Sequence, residues 1–228
     1  MKALHFLISV IPILFASCSS SFTAQQKAKL TELDVLAPVI KEEAYSEPKG
    51  NSELKAIRYA SFGGLTAAAL SRALEEGIEK RQRSAFKAKY GDAITQVKAS
   101  VPKMLSKDLE QRTETELNAI PEFNDKIKAP SENQFITTIT EYGFKRVGKS
   151  DDEKILMSPY INGTVSLKLG DEQIMKPTKI KAQAYPNKQG EHDIIAYLDD
   201  KDLAMKDFEE ASEEFAKAVR KKLEKKYK

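Results

Sequence analysis

At Asn133 the residue types of this chain change, and that change limits the folds open to it. Before it, Ala93, Val97, Val101, Leu105 and Leu109 recur every four residues, an apolar stripe of helical period. Pro102 interrupts the stripe, which predicts a kink or a fresh start there, with Ser100 as a cap. Pro121 bounds the helix near Ile120. After Asn133, Phe135–Tyr142 is β-branched and aromatic, as strands are. Within Ile155–Leu169, Val165, Leu167 and Leu169 alternate with Ser166 and Lys168, the period-two pattern of one buried face. Asn162-Gly163 inside that run reads as a bulge in preference to a hairpin. Gly170-Asp171-Glu172 is a turn. Ile174–Tyr185 is the next strand, with Ile180, Ala182 and Ala184 on one face and Lys179, Lys181 and Gln183 on the other. His192–Leu198 completes an expected antiparallel meander.

The last element is a helix. Asp199, Asp200 and Asp202 stand at its start; Arg220, Lys221, Lys222, Lys225 and Lys226 stand at its end. Both ends suit the helix macrodipole. Leu203, Phe208, Ala211, Phe215, Ala218, Val219 and Leu223 form an apolar stripe that needs a cover, and the meander is the nearest one. Toward the amino terminus, Leu33–Ile40 is a β-rich run that Pro38 confines to an edge or ends. Lys41–Ser52 is a charged loop. Tyr59–Ser71 carries no formal charge and repeats small residues (Gly63, Gly64, Ala67, Ala68, Ser71) at helical spacing. That pattern allows close helix approach, and a buried helix start or a surface-lying membrane segment would each use it. A charged continuation runs to about Tyr90. The expected fold is α+β. An antiparallel meander of four or five strands is covered by the C-terminal helix and a preceding helix, with an extra Ala/Gly-rich helical region. The expected divisions are 1–17, a signal peptide; 18–32, a tether; 33–92, an N-terminal strand and helical region; and 93–228, an α+β sandwich domain.

Few residues offer chemistry. With 37 basic and 34 acidic side chains the formal charge is only +3, a mixed surface without the clustered excess of a nucleic-acid footprint. No Trp is present to stack carbohydrate. His192 is the one histidine outside the leader, and its neighbour Asp193 points to the opposite side of a strand, so no local catalytic pair forms. Asp199, Asp200 and Asp202 lack the glycine and distal glutamate of a calcium loop; capping accounts for them. Glu209, Glu210, Glu213 and Glu214 read as the solvated face of the last helix, and the terminal lysines as the same face or as a contact for anionic head groups. Asn162-Gly163-Thr164 matches a glycosylation sequon, and a bulge explains the glycine equally well. No catalytic, cofactor or metal set is expected.

The leader is more specific. Met1-Lys2 is followed by Ala3–Ala16, a run without Lys, Arg, Asp or Glu that contains Pro12. It is shorter than the roughly 20 apolar residues of a membrane span. Cys18, the only cysteine in 228 residues, stands where it ends, and Ser19, Ser20 and Ser21 follow. Such a layout predicts export. Polar Ser19–Lys29 then reads as a tether of roughly 35–40 Å when extended. The word Leu14-Phe15-Ala16-Ser17-Cys18 resembles the lipobox of bacterial lipoproteins, with Phe15 in place of the usual leucine. The resemblance implies a diacylglycerol thioether on Cys18, cleavage before it and acylation of the new amino terminus. Ordinary secretory cleavage and an uncleaved anchor are the other readings of this segment.

From Ala93 the order of helix, strands and helix (DAITQVKASVPKMLSKDLEQRTETEL, ITTITEYGF, YINGTVSLKL, KIKAQAY, DFEEASEEFAKAVRKKL) resembles the amino-terminal domain of the Tol translocation protein and several envelope lipoproteins. It is also similar to bacterial lipoproteins that pair a small-residue helix, here Gly63–Ser71, with a later strand ending in tyrosine, here Tyr142. These resemblances are topological. They imply a non-enzymatic, partner-binding protein of the bacterial envelope, anchored by lipid in the outer membrane facing the periplasm, with an envelope protein as partner and no nucleic acid. A carrier of lipid or a small hydrophobic ligand, and a minimal hydrolase using Ser, Lys or Asp groups, are the alternatives.

Overall fold

The computed structural model describes residues 21–46, 68–149, 155–185 and 192–227. Within them the order is α1 (Ala24–Lys29), β1 (Asp34–Val35), β2 (Val39–Ile40), β3 (Tyr45–Ser46), α2 (Ala68–Asn118), β4 (Gln134–Lys149), β5 (Ile155–Leu169), β6 (Glu172–Gln183), β7 (His192–Asp193), α3 (Ile194–Asp199) and α4 (Lys201–Tyr227). The fold is α+β, as expected. The sheet, however, is mixed. β4, β5 and β6 form an antiparallel meander, but β1, β2 and β3 pair in parallel with β4 along its outer edge. Parallel neighbours need a long crossover, and α2 lies in that connection. Pro38 falls in the break between β1 and β2, at the sheet edge where a missing N–H is tolerated. Tyr45–Ser46, expected within a loop, is instead the last piece of this edge.

Two further expectations fail at the fourth strand and at the tether. His192–Leu198 is not a strand. Only His192 and Asp193 pair, with Met157 and Leu156. Asp193 then caps α3, its Oδ1 accepting from the Ala196 N–H at 2.9 Å. Thr23–Lys29 is not a free tether either. Thr23 and Gln26 form a capping box at the start of α1, and Phe22 and Leu30 on either side are buried. The Phe22 N–H donates to the Lys226 carbonyl at 2.8 Å, and its ring meets Tyr227 edge-on at 5.7 Å.

α2 runs 51 residues with Pro102 inside it, about 76 Å at 1.5 Å per residue. The boundary expected at 92/93 therefore falls inside one helix, and residues 33–46 belong to the same sheet as 134–183. The expected stripe is the buried face: Val97, Val101, Leu105 and Leu109 are all inaccessible. Thr113 takes the next position, its hydroxyl buried without a hydrogen-bond partner among the described residues. Of the small-residue segment Tyr59–Ser71, positions up to 67 lie outside the described residues and 68–71 are helical.

α4 packs on β5, β6 and α2, so both long helices share one face of the sheet. Phe208, Ala211, Phe215, Val219 and Leu223 are fully buried in the interface, as the stripe predicts. Along β4 the inward positions are Phe135, Thr137 and Ile139, then Tyr142 and Phe144. The parity changes because Ile139 pairs with Gly163 but Glu141 with Asn162, leaving Thr140 as the extra residue. The bulge thus sits in β4, opposite Asn162-Gly163, and β5 runs straight through. Gly163 is needed for another reason. A Cβ there would stand 2.7 Å from the Thr138 carbonyl oxygen and 3.2 Å from the Phe215 ring, so the missing side chain lets α4 approach the sheet.

Candidate functional site: a lysine-lined cleft

Residues from β4, β6 and α4 converge on a cleft of about 370 Å³ lined by Lys145, Lys181, Ala182, Gln183, Glu214, Lys217, Ala218 and Lys221. Four of these eight side chains are ammonium groups and one is a carboxylate. Each lysine arrives for a local reason. Lys145 follows buried Phe144 on β4 and Lys181 follows buried Ile180 on β6, and both lysines are exposed. Lys217 and Lys221 are one turn apart on α4, beside the buried positions Phe215 and Val219.

The charges are unevenly satisfied. Lys217 is held by Glu213 at 2.6 Å and Glu214 at 3.0 Å. Those bonds hold its pKa above the ordinary lysine value, and they lower that of Glu213. Glu213 also accepts from Arg112 of α2 at 3.1 Å, which Asp108 binds at 2.8 Å. A second bridge, Arg220 to Glu116 at 3.5 Å, joins the same two helices. Glu213 and Glu214 are therefore parts of an ion-pair ladder as well as of the helix surface. In contrast, Lys145, Lys181 and Lys221 make no salt bridge among the described residues. Partial desolvation, and then the like charge of Lys181, push the Lys145 ammonium below its ordinary pKa. Glu141 tempers the field of Lys181. Its carboxylate accepts from the Tyr160 hydroxyl at 2.7 Å and from the Asn162 amide at 2.8 Å, bonds that lower its pKa, Tyr160 contributing most.

The residues singled out in the sequence lie elsewhere. Cys18 is outside the described residues. His192 meets Tyr197 edge-on at 5.6 Å, and Asp193 is the α3 cap. Asp200 Oδ1 accepts from the Asp202 and Leu203 N–H groups at 2.9 and 3.0 Å, the capping role expected, while Asp199 and Asp202 are exposed. No group of three or more metal-ligating side chains occurs among the described residues. Buried Asp207, which the sequence does not single out, accepts from the hydroxyls of Tyr185 at 3.0 Å and Tyr197 at 2.7 Å, tying α4 to α3 and to the end of β6. Nor does the sequence single out the cleft, because each of its lysines reads locally as solvated surface. Lys179, Lys181 and Gln183 on one face was the single visible part of it.

The arrangement concentrates positive charge in a concave surface. That suits the reception of an anion, and it does not suit the burial of an apolar ligand. No family model, curated protein or solved structure matches the chain. No helix among the described residues is long and apolar enough to cross a membrane.

Proposed function

We propose that this chain is a lipid-anchored protein of the bacterial cell envelope, held through Cys18 in the outer membrane and facing the periplasm, and that it binds an envelope protein without catalysing a reaction. The observation that carries the reading is the docking of Phe22. Its ring lies against Tyr227 and its N–H on the Lys226 carbonyl, so a docked residue stands four positions after the cysteine that the leader sets up for acylation. A leash that short spans at most about 14 Å. It holds the end of α4 toward the bilayer, and that end carries Lys221, Lys222, Lys225 and Lys226. Basic side chains near an anionic surface contribute about 1 kcal/mol each. Lys27 of α1 adds to this end: its ammonium donates to the Tyr227 carbonyl and lies 4.8 Å from the Tyr227 ring centroid.

The carrier reading has less support, because the cleft is lined with ammonium groups. The hydrolase reading has less as well, because Asp193, Asp200, Asp207 and Glu141 each hold a structural hydrogen bond. Cell fractionation tests the proposal. The parent chain is expected in the membrane fraction, and Cys18→Ala is expected as uncleaved precursor or as soluble material. Membrane retention of that variant with an unchanged amino terminus would remove the anchor. Cross-linking in intact cells, read by mass spectrometry, identifies the partner.

A further inference from the structure

We infer that the cleft between α4 and the sheet is a binding site for a phosphate-bearing group, received by Lys145, Lys181 and Lys221. The three side chains come from β4, β6 and α4, segments far apart in sequence, and meet at one concavity of about 370 Å³. That volume falls within the range of small-ligand pockets. None of the three is neutralised by a salt bridge among the described residues, whereas the fourth lysine, Lys217, is fixed by Glu213 and Glu214. Glu141 offsets part of the charge of Lys181, and the remaining excess of like charge is unfavourable until an anion arrives. Three lysines favour a multiply charged tetrahedral anion, which point-charge ammonium groups surround well. Gln183 on the rim offers an amide to a remaining oxygen. Glu214 is the one lining carboxylate, and it is bonded to Lys217 at 3.0 Å. Lys145 carries part of the cost of this gathering, since desolvation and Lys181 both oppose its charge.

The site shares Lys221 with the basic end of α4 but does not depend on acylation of Cys18. Two sources carry the same chemistry, a soluble phosphate compound and a phospholipid head group, and the test separates them. The full-length chain in neutral detergent micelles is treated with an amine-reactive ester, and every lysine is quantified by mass spectrometry. One arm adds inorganic pyrophosphate; the other adds phosphatidylglycerol to the micelles. The expected result is saturable protection of Lys145 and Lys181, roughly fivefold, while exposed Lys103 and Lys107 on α2 label as before. Protection by pyrophosphate points to a soluble ligand, and protection by phosphatidylglycerol alone to a head group. The double variant Lys145→Gln/Lys181→Gln is expected to weaken the protecting probe about tenfold, and Lys103→Gln/Lys107→Gln, with the same loss of charge, to change it less than about twofold. The inference is overturned if neither probe protects, if all lysines are protected alike, or if both double variants weaken binding equally.

Discussion

The hydroxyl of Tyr142 donates to the carbonyl of Lys98 at 3.5 Å, the acceptor that Pro102 leaves without its helical donor. Proline has no N–H, so the bond from residue 102 back to residue 98 cannot form. α2 nevertheless continues through Pro102, and a strand tyrosine reaches across the interface to the freed carbonyl. The expected consequence is coupling. Tyr142→Phe should cost about 1 kcal/mol in urea unfolding. Pro102→Ala should raise stability by up to about 3 kcal/mol. In the Pro102→Ala background the restored backbone N–H satisfies the Lys98 carbonyl, so Tyr142→Phe should cost less, with a coupling of about 0.5–1 kcal/mol. Simple additivity would show that the hydroxyl does not serve this carbonyl.

Alkaline pH should unfold the protein through its tyrosines. Burial pushes both Tyr142 and Tyr160 from 10.0 up to about 12. For Tyr160 the hydrogen bond to Ser46 opposes this, and the bond to Glu141 and its charge act in the same direction as burial. The folded state holds these phenolic protons more tightly than the unfolded chain. The stability they contribute is therefore fully present below about pH 10 and is lost as pH rises toward about 12. Urea midpoints followed by circular dichroism should be flat with respect to these groups below that window and fall within it. Tyr142→Phe/Tyr160→Phe should have a shallower fall.

Two glycines should respond differently to alanine. At Gly163 the new methyl would meet the Thr138 carbonyl oxygen at 2.7 Å and the Phe215 ring at 3.2 Å, so α4 must lift from the sheet. A loss of about 2 kcal/mol or more is expected. Gly170, in the turn between β5 and β6, has φ +55° and nothing within 4 Å of an added Cβ; only the left-handed backbone resists, at about 1 kcal/mol. Denaturant melts of the two variants should rank in that order.

Docking of the amino-terminal segment can be tested without the anchor chemistry. Phe22→Ala removes the ring that packs on Tyr227. Trypsin should then cut after Lys27 and Lys29 about tenfold faster, because local opening of α1 becomes cheaper. Cleavage within the buried turns of α4 should change far less. Unaltered cutting after Lys27 would mean that Phe22 does not hold the segment down, and the leash would be longer than four residues.

Much of this architecture is legible in the residues, and what is hidden has a physical reason. Alternation places Val165, Leu167 and Leu169 correctly, because the extra residues opposite them fall on β6 and leave the parity of β5 intact, and likewise Ile180 and Ala184, which lie beyond those irregularities. It fails along Ile136–Tyr142, where Thr140 is an extra residue that only the partner strand reveals. Pro102 suggests a break because helix rules are local, and the carbonyl it frees is served by Tyr142, distant in sequence. Ile194–Leu198 is too short for periodicity to separate strand from helix; the capping Asp193 was the available sign. Phe22 and Leu30, set apart by a polar run, show no period at all. The cleft lysines are the extreme case: none differs locally from a solvated residue, and only the fold brings them together.

The most direct test of the anchored reading is the mass of the amino-terminal peptide from protein isolated out of its own membranes. The expected peptide begins at Cys18 and carries a diacylglyceryl thioether with an acylated amine. A peptide that extends through Cys18 and bears a free thiol there would contradict it.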